Sequence, residues 1–358
     1  MKIWLVAILI LSGCASKKKD RDFQKSLETP IESAPVVQVK APEKLLEKFE
    51  VEKIEDAVAK PKPEIAQIKP APKAAPAKVA AKKAEAPKVL KPDLPLTQDV
   101  PVSKLPADYP ADLLKVNAKA ESVWKTYKPN HYPNEKIFLD IHYLGMTVGK
   151  IMVTNQGKKM INGKEVWHFH SRFKSAPFYS NIYELDDTVD TYVTTDQFLS
   201  IRYSLIQRES KQDVDDLQLH DRDQMKSFWF YKQKKSSGEL KNKEKNTFIP
   251  YFSIDPFSML FFFQGLPMNN NDLYEIPIIN KAKILILRAE VEGREEIDTE
   301  DKDNVKAIRV HATTKYTGET LKSGDMYLWF SDDSQRRLLK AQAKIKIGSV
   351  TADIVDGK

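Results

Sequence analysis

Apolar and polar residues alternate in several segments of the second half of the chain. In the clearest case, alternate positions from Leu339 to Ile347 are apolar, and the positions between them are lysine or glutamine. The same alternation occurs at 137–143, 167–173 and 199–205. Period two places one set of side chains on a core face and the other in water, so each segment predicts a β-strand.

Turn signals lie between these segments. Asn162-Gly163 predicts a two-residue hairpin, since both positions tolerate positive φ. Ser323-Gly324-Asp325 and Asp332-Asp333-Ser334 mark further breaks. No strand–helix–strand rhythm occurs, which argues against a doubly wound α/β fold. The predicted fold class is mainly β, either a strongly bent antiparallel sheet or an open β-barrel.

Two helices interrupt the strands. Apolar positions between Pro110 and Tyr127 lie near one face of a helix, with proline in its first turn. Asp255-Pro256-Phe257-Ser258 has the composition of a helix start, and the run from Met259 to Phe263 is apolar on all sides. A helix that is apolar all round is usually buried, so we predict a plug against the concave side of the sheet.

The N-terminus predicts export and a lipid anchor. Lys2 precedes the apolar run Ile3–Leu11, which is too short to span a bilayer but fits a signal peptide. Leu11-Ser12-Gly13-Cys14 resembles the lipobox of bacterial lipoproteins, which implies a signal peptide at 1–13 and acyl chains such as palmitate on Cys14. The alternative is an ordinary secretory signal with an incidental cysteine. Because Ala15 and not aspartate follows, we expect the outer membrane, facing the periplasm.

Composition divides the rest of the chain. The 14–105 segment is rich in Pro, Ala and Lys and poor in aromatic residues, which predicts a disordered tether. Within it, 43–58 has the pattern of a transient amphipathic helix. The 15–105 segment has a net charge of +5, and the residues from 106 onward have +1. The basic charge therefore belongs mainly to the tether, and we expect no nucleic-acid partner. A helical lead-in at 106–133 and a β-rich domain at 134–358 complete the predicted organisation.

The order of several weak motifs in the β-rich part indicates a family. It runs from a strand led by Glu135 through Gly145 and Gly149 to the Asp255 helix start, the segment Gly293-Arg294-Glu295-Glu296-Ile297 and the late Trp329-Phe330-Ser331-Asp332-Asp333. This order, over about 134–355, resembles the domain-of-unknown-function 3108 family of bacterial envelope proteins. The resemblance implies an exported β-rich domain and no catalytic residues.

Candidate chemistry is sparse. His168 and His170 share a strand face, but spacing supplies no third metal ligand, so we expect a polar sheet face and no metal or cofactor. The acidic stretch 213–223 lacks the EF-hand pattern and is expected to be a solvated loop. Asp186-Asp187 and Asp332-Asp333 point to opposite faces of a strand, which disfavours an acid/base pair. The aromatic residues between Tyr251 and Phe263 are expected to be core, or to line a cavity for an acyl chain or apolar peptide.

Three functions follow, in decreasing order of expectation. The first is a non-catalytic envelope lipoprotein whose β-domain binds an envelope protein or a cell-wall polymer. The second is a carrier or chaperone for a lipid or other amphiphile in an apolar cavity. The third is an enzyme acting on envelope material, although no nucleophile elbow, metalloprotease or phosphate-loop motif is present.

Overall fold

The computed structural model describes residues 23, 25–28, 37–54, 105–316, 325–345 and 348–355. Cys14, the signal peptide and most of the predicted tether lie outside these residues. The helices are α1 Glu43–Lys48, α2 Ala111–Thr126, α3 Pro177–Ser180 and α4 Met259–Gln264. The strands are β1 Val51–Glu52, β2 Lys136–Tyr143, β3 Met146–Ile161, β4 Lys164–Ser175, β5 Asp186–Thr194, β6 Ser200–Glu209, β7 Gln212–Asp221, β8 Lys226–Lys235, β9 Leu240–Phe248, β10 Leu273–Asn280, β11 Lys283–Ile297, β12 Val305–Tyr316, β13 Met326–Ser331, β14 Leu338–Lys344 and β15 Ser349–Val355. No helix among the described residues is both long and apolar enough to cross a membrane.

One antiparallel sheet contains all the long strands. Its order is β10-β11-β12-β13-β14-β15-β2-β3-β4-β5-β6-β7-β8-β9, and the short β1 pairs with β3 off this path. In the described chain, β10 and β9 are the two ends of the order, so the sheet bends without closing into a barrel. Asn162 and Gly163 both have positive φ in the β3–β4 turn, as predicted. The mainly β fold class is thereby confirmed.

The inner face of the sheet packs against α4. Phe261, Phe262 and Phe263 belong to the largest apolar cluster of the molecule, which also contains inward-facing residues of β11, β12 and β13. The plug prediction is confirmed, although the helix begins at Met259. The preceding Asp255 forms a turn, because its Oδ1 accepts hydrogen bonds from the backbone N–H groups of residues 257 and 258.

The lead-in helix α2 lies beside the plug. The Trp124 ring is 4.5 Å from that of Phe262, and Tyr127 stacks on the same ring at 4.6 Å. At the C-terminal end of α4, a Cβ on Gly265 would lie 2.3 Å from the Tyr127 ring and 2.5 Å from the Lys128 carbonyl oxygen. A residue without a side chain is therefore required where the two helices meet.

The outer face is covered by residues 37–54, which we call the strap. Phe49 is buried there with Val166, Leu217 and other strand residues, and Leu45 packs on the same cluster. The strap ends in β1, which pairs with β3. The sequence places these residues in a tether, whereas in the structure residues 37–54 pack on the sheet. The few apolar residues of the strap are spaced so that they cover one strip of the sheet. The composition averaged over 14–105 does not reveal this spacing.

Candidate functional site

His168 and His170 lie on the outer face of β4, and β5 places Asp190 directly across from His170. His168 Nε2 and His170 Nδ1 lie 2.7 and 2.8 Å from Asp190 Oδ1. Both histidines are buried, and the Asp190 side chain is 20% exposed. Cross-strand register thus gives both rings one shared, partly exposed carboxylate partner on this polar face of the sheet.

Burial and hydrogen bonding set the charges of this trio. Burial lowers the pKa of His168, and the hydrogen bond that its ring donates to Asp190 offsets only part of that effect. Burial alone would raise the pKa of Asp190, but the hydrogen bonds from His168 and His170 hold it well below its usual value. At neutral pH the cluster therefore combines a neutral His168 ring with a carboxylate. Three ligand atoms within 4.8 Å of one another are available to a metal ion.

The acidic stretch at 213–223 is mostly strand and not a solvated loop. Within β7, Asp215 pairs with Arg208 at 2.9 Å, and the fully buried Asp216 accepts a hydrogen bond from Trp229 Nε1 at 3.1 Å. Neighbouring cations and donors allow these carboxylates to be buried, which residue counting along the sequence could not show. The stretch does not bring its carboxylates together as calcium ligands.

The two carboxylate pairs have structural partners. Asp186 receives two hydrogen bonds from Arg172, whereas burial raises the pKa of Asp187 to about 7. Asp333 accepts hydrogen bonds from the backbone N–H groups of residues 335 and 336 in a turn. Each of these carboxylates is thus accounted for by its own structural contacts.

A cleft of ≈ 650 Å³ opens near the turns before β4, β6 and β8. Its buried cation is Arg222, whose guanidinium donates to the backbone oxygens of Ser200, Pro250, Tyr251 and Ser253. Those hydrogen bonds fix the backbone before α4, so the Arg222 guanidinium has a structural role. The lining mixes acidic, basic and apolar groups without a converging reactive set.

The edge strand β9 carries a surface that we call the lysine row: Lys241, Lys243 and Lys245. These three residues are exposed and lie across from Gln233, Tyr231 and Trp229 of β8. Alternation places them on one face of the strand. Lys243 Nζ lies 5.8 Å from the Trp229 ring centroid and 6.0 Å from that of Tyr231.

The charge around the lysine row is strongly positive. The β8–β9 hairpin, residues 226–248, contains seven lysines and two glutamates. Lys281, from the β10–β11 turn, adds a cation 5.4 Å from the Tyr231 ring. The buried carboxylate of Asp216, on the adjacent strand β7, is already paired with Lys281 at 3.3 Å. The hairpin thus presents positive charge that the neighbouring acids do not neutralise.

Sequence reasoning missed both clusters for different reasons. Asp190 lies 20 positions from His170, and only the β4–β5 register brings them together. The lysine row had a visible signal, since three lysines at period two follow an aromatic strand. Of the six aromatic residues from Tyr251 to Phe263 that the sequence predicts as core, four are buried in the α4 cluster, and Tyr251 and Phe257 are partly buried against it.

Comparison with known proteins identifies the family. The family model described as "Protein of unknown function (DUF3108)" matches residues 139–355, and the chain belongs to that family. No curated protein matches the sequence.

Two solved structures resemble the chain at low identity. A β-barrel-like protein of the DUF1849 family from Brucella abortus aligns with 62% of this chain and 95% of its own, at 9% identity and a TM-score of 0.39. The Mycobacterium tuberculosis lipoprotein LppX aligns with 68% of this chain and 92% of its own, at 8% identity and a TM-score of 0.19.

Proposed function

We propose that this family member is an envelope-anchored, non-catalytic binding protein whose β-domain holds an anionic envelope partner along the lysine row. The anchor is the lipid on Cys14, in the outer membrane and facing the periplasm. The observation that carries the binding function is the concentration of exposed lysines on the edge strand β9.

The geometry of β9 suits an extended anionic polymer. Side chains two residues apart on a strand are separated by about 6.7 Å, so the lysine row is a line of three charges. Tyr231 and Trp229 lie beside that line and offer flat surfaces to sugar rings or apolar groups. Lysines on an edge strand also discourage pairing between sheets. Protection of the sheet edge would explain the lysines on β9, but it would not require Tyr231 and Trp229 beside them.

The carrier and enzyme alternatives have less support. The concave side of the sheet, where an amphiphile would lie, contains the side chains of α4 packed against the strands. The cleft beside Arg222 lacks a converging set of reactive groups among the described residues. Binding at an exposed surface is therefore the function that these contacts favour.

Titration with a linear polyanion tests the proposal. The purified chain is titrated with polygalacturonate by calorimetry, using neutral dextran as the comparison polymer. Replacing all three lysines of the row with glutamine should weaken polygalacturonate binding by about tenfold, because three exposed charge pairs of about 0.5 kcal/mol each are lost. Raising the salt concentration should weaken binding to the unmodified chain as well.

A variant with the same change in charge controls for net charge. Lys115, Lys119 and Lys125 are exposed on α2, which is not part of the hairpin. Their replacement by glutamine should leave polygalacturonate affinity nearly unchanged. Equal losses in the two triple variants would show that binding follows overall charge. Unchanged binding after loss of the lysine row would refute its role.

A further inference from the structure

The geometry points to a divalent transition-metal site formed by His168, His170 and Asp190. Two imidazole nitrogens and one carboxylate oxygen converge from neighbouring strands on the outer face. Such a ligand set suits zinc and related first-row ions, with a remaining position for water. The site is separate from the lysine row and does not depend on the proposed binding function.

The present contacts need little change to accept an ion. Ligand atoms around a tetrahedral zinc ion, with bonds of about 2.0–2.1 Å, lie about 3.3 Å apart. The two nitrogens lie 2.7 and 2.8 Å from Asp190 Oδ1, so insertion requires a separation of about half an ångström. Asp190 is the partly exposed member of the trio and can make that movement toward solvent.

Metal binding requires a ring proton to move from one imidazole nitrogen to the other. A neutral imidazole that donates an N–H to Asp190 must move that proton to its other ring nitrogen before the first nitrogen binds a metal. For His168 the other nitrogen, Nδ1, is buried without a hydrogen-bond partner among the described residues. Moving the proton there gives up the Nε2–H hydrogen bond to Asp190, which bonds from Nε2 and Oδ1 to the metal ion replace, and the neutral ring releases no net proton. The move also leaves Nδ1–H without an acceptor among the described residues, which lowers the affinity.

The surroundings fix the rings but limit the affinity. His168 stacks on Tyr192 at 4.4 Å, and Tyr192 lies across from Arg202 in the sheet. Arg202 in turn donates to the Phe49 carbonyl oxygen of the strap at 2.8 Å. The stacked ring holds His168 in place, whereas the nearby guanidinium opposes a dication. We therefore expect binding of a metal ion at one site per chain, weaker than at a structural zinc site.

Titration of the purified full-length chain with Co²⁺ tests the site. Coordination by nitrogen and oxygen at low coordination number should give visible absorption bands that aqueous Co²⁺ lacks, saturating at one ion per chain. Asp190→Asn and His170→Gln should each weaken binding by at least about tenfold, since loss of even an outer partner of a metal ligand has that effect. His311→Gln should leave the bands and the affinity unchanged.

A second measurement needs no variant and so does not depend on variant folding. Paramagnetic Co²⁺ should shift or broaden the NMR signals of the Tyr192 ring. It should spare Tyr327, which stacks on His311 at 4.7 Å elsewhere in the sheet. Absence of the bands, unchanged affinity in Asp190→Asn or perturbation centred on Tyr327 would each overturn the proposal. The trio would then be a hydrogen-bonded cluster with a structural role alone.

Discussion

The two faces of the sheet are closed in different ways. The inner face packs on α4, which follows the strands β2 to β9 and lies within the region matched by the family model. The outer face packs on the strap, residues 37–54, which precede that region. Both faces belong to the same sheet. They differ because the segment that covers the inner face lies inside the family domain, whereas the segment that covers the outer face lies before it.

That difference affects how strongly each face is coupled to the fold. The inner face has a buried polar network, in which Asp255 accepts hydrogen bonds from Thr191 and Ser200. The strap is attached by apolar contacts, by the short pairing of β1 with β3 and by a few polar bonds at Phe49 and Lys48. Fifty residues separate residue 54 from Leu105 in the sequence. We infer that the strap can leave the sheet while the inner core stays folded.

The largest effect is expected from the inner core. Phe262 is fully buried and contacts the rings of Trp124, Tyr127 and Phe198. Phe262→Ala should lower the free energy of unfolding by about 3–5 kcal/mol, because it removes buried apolar surface and leaves a cavity. Urea denaturation followed by circular dichroism measures the change. A loss below about 1 kcal/mol would mean that α4 is not packed as described.

The next effect is a pH dependence of the same core. Burial lowers the pKa of His131 from 6.5 to about 4, so the folded state holds this ring neutral. The free energy of unfolding is therefore unaffected by His131 above pH 6.5, the pKa of the ring in the unfolded chain. It decreases as the pH falls from about 6.5 toward 4, because only the unfolded chain then binds a proton at this ring. The shift corresponds to at most about 3 kcal/mol.

Urea denaturation at pH 7 and pH 4 measures this effect in the unmodified chain and in His131→Phe. The unmodified chain should lose more stability on acidification than the variant, since phenylalanine does not titrate. The variant also loses the partner of the Tyr127 hydroxyl, 2.6 Å from His131 Nε2, and should be less stable at pH 7. Equal acid losses in both chains would contradict the assignment.

Local patterns predicted the elements of the fold better than the partners of individual side chains. Alternation located β2, β4, β6 and β14, because burial of one face imposes period two regardless of neighbours. The helical pattern at 43–58 was also visible, and α1 occupies Glu43–Lys48. Its docking site on the sheet could not be predicted, since distant strands form it. The same limit hid Asp190, whose position depends on the register of the β4–β5 pair.

A smaller global effect is expected from the strap. Phe49 is buried on the outer face, but Phe49→Ala should lower the free energy of global unfolding by less than about 2 kcal/mol. A weakened strap can detach first, which limits the cost to its own docking energy. Hydrogen exchange should become faster at residues 37–54 and remain unchanged in α4. Uniformly faster exchange throughout the domain would show that strap and core unfold together.

The smallest effect is expected from the ion pair at the end of α1. Lys48 Nζ lies 2.8 Å from the buried Asp221 Oδ2 and 3.3 Å from the exposed Asp223 Oδ2. Lys48→Gln should cost less than about 1 kcal/mol, since an ion pair near the surface contributes little. Asp221 also keeps two hydrogen bonds from the N–H groups of residues 223 and 224.

The effect should be concentrated in the strap and should shrink at high salt, because the lysine is partly exposed to screening ions. Lys44→Gln supplies the matched control: it removes the same charge from an exposed position on the same helix. Limited proteolysis at low and high salt compares cleavage within 37–54 in the two variants. We expect faster cleavage in Lys48→Gln than in Lys44→Gln at low salt, and equal cleavage of the two variants at high salt. Equal cleavage in both variants at low salt would show that the ion pair does not hold the strap, and its attachment would then come from the apolar contacts and the pairing of β1 with β3.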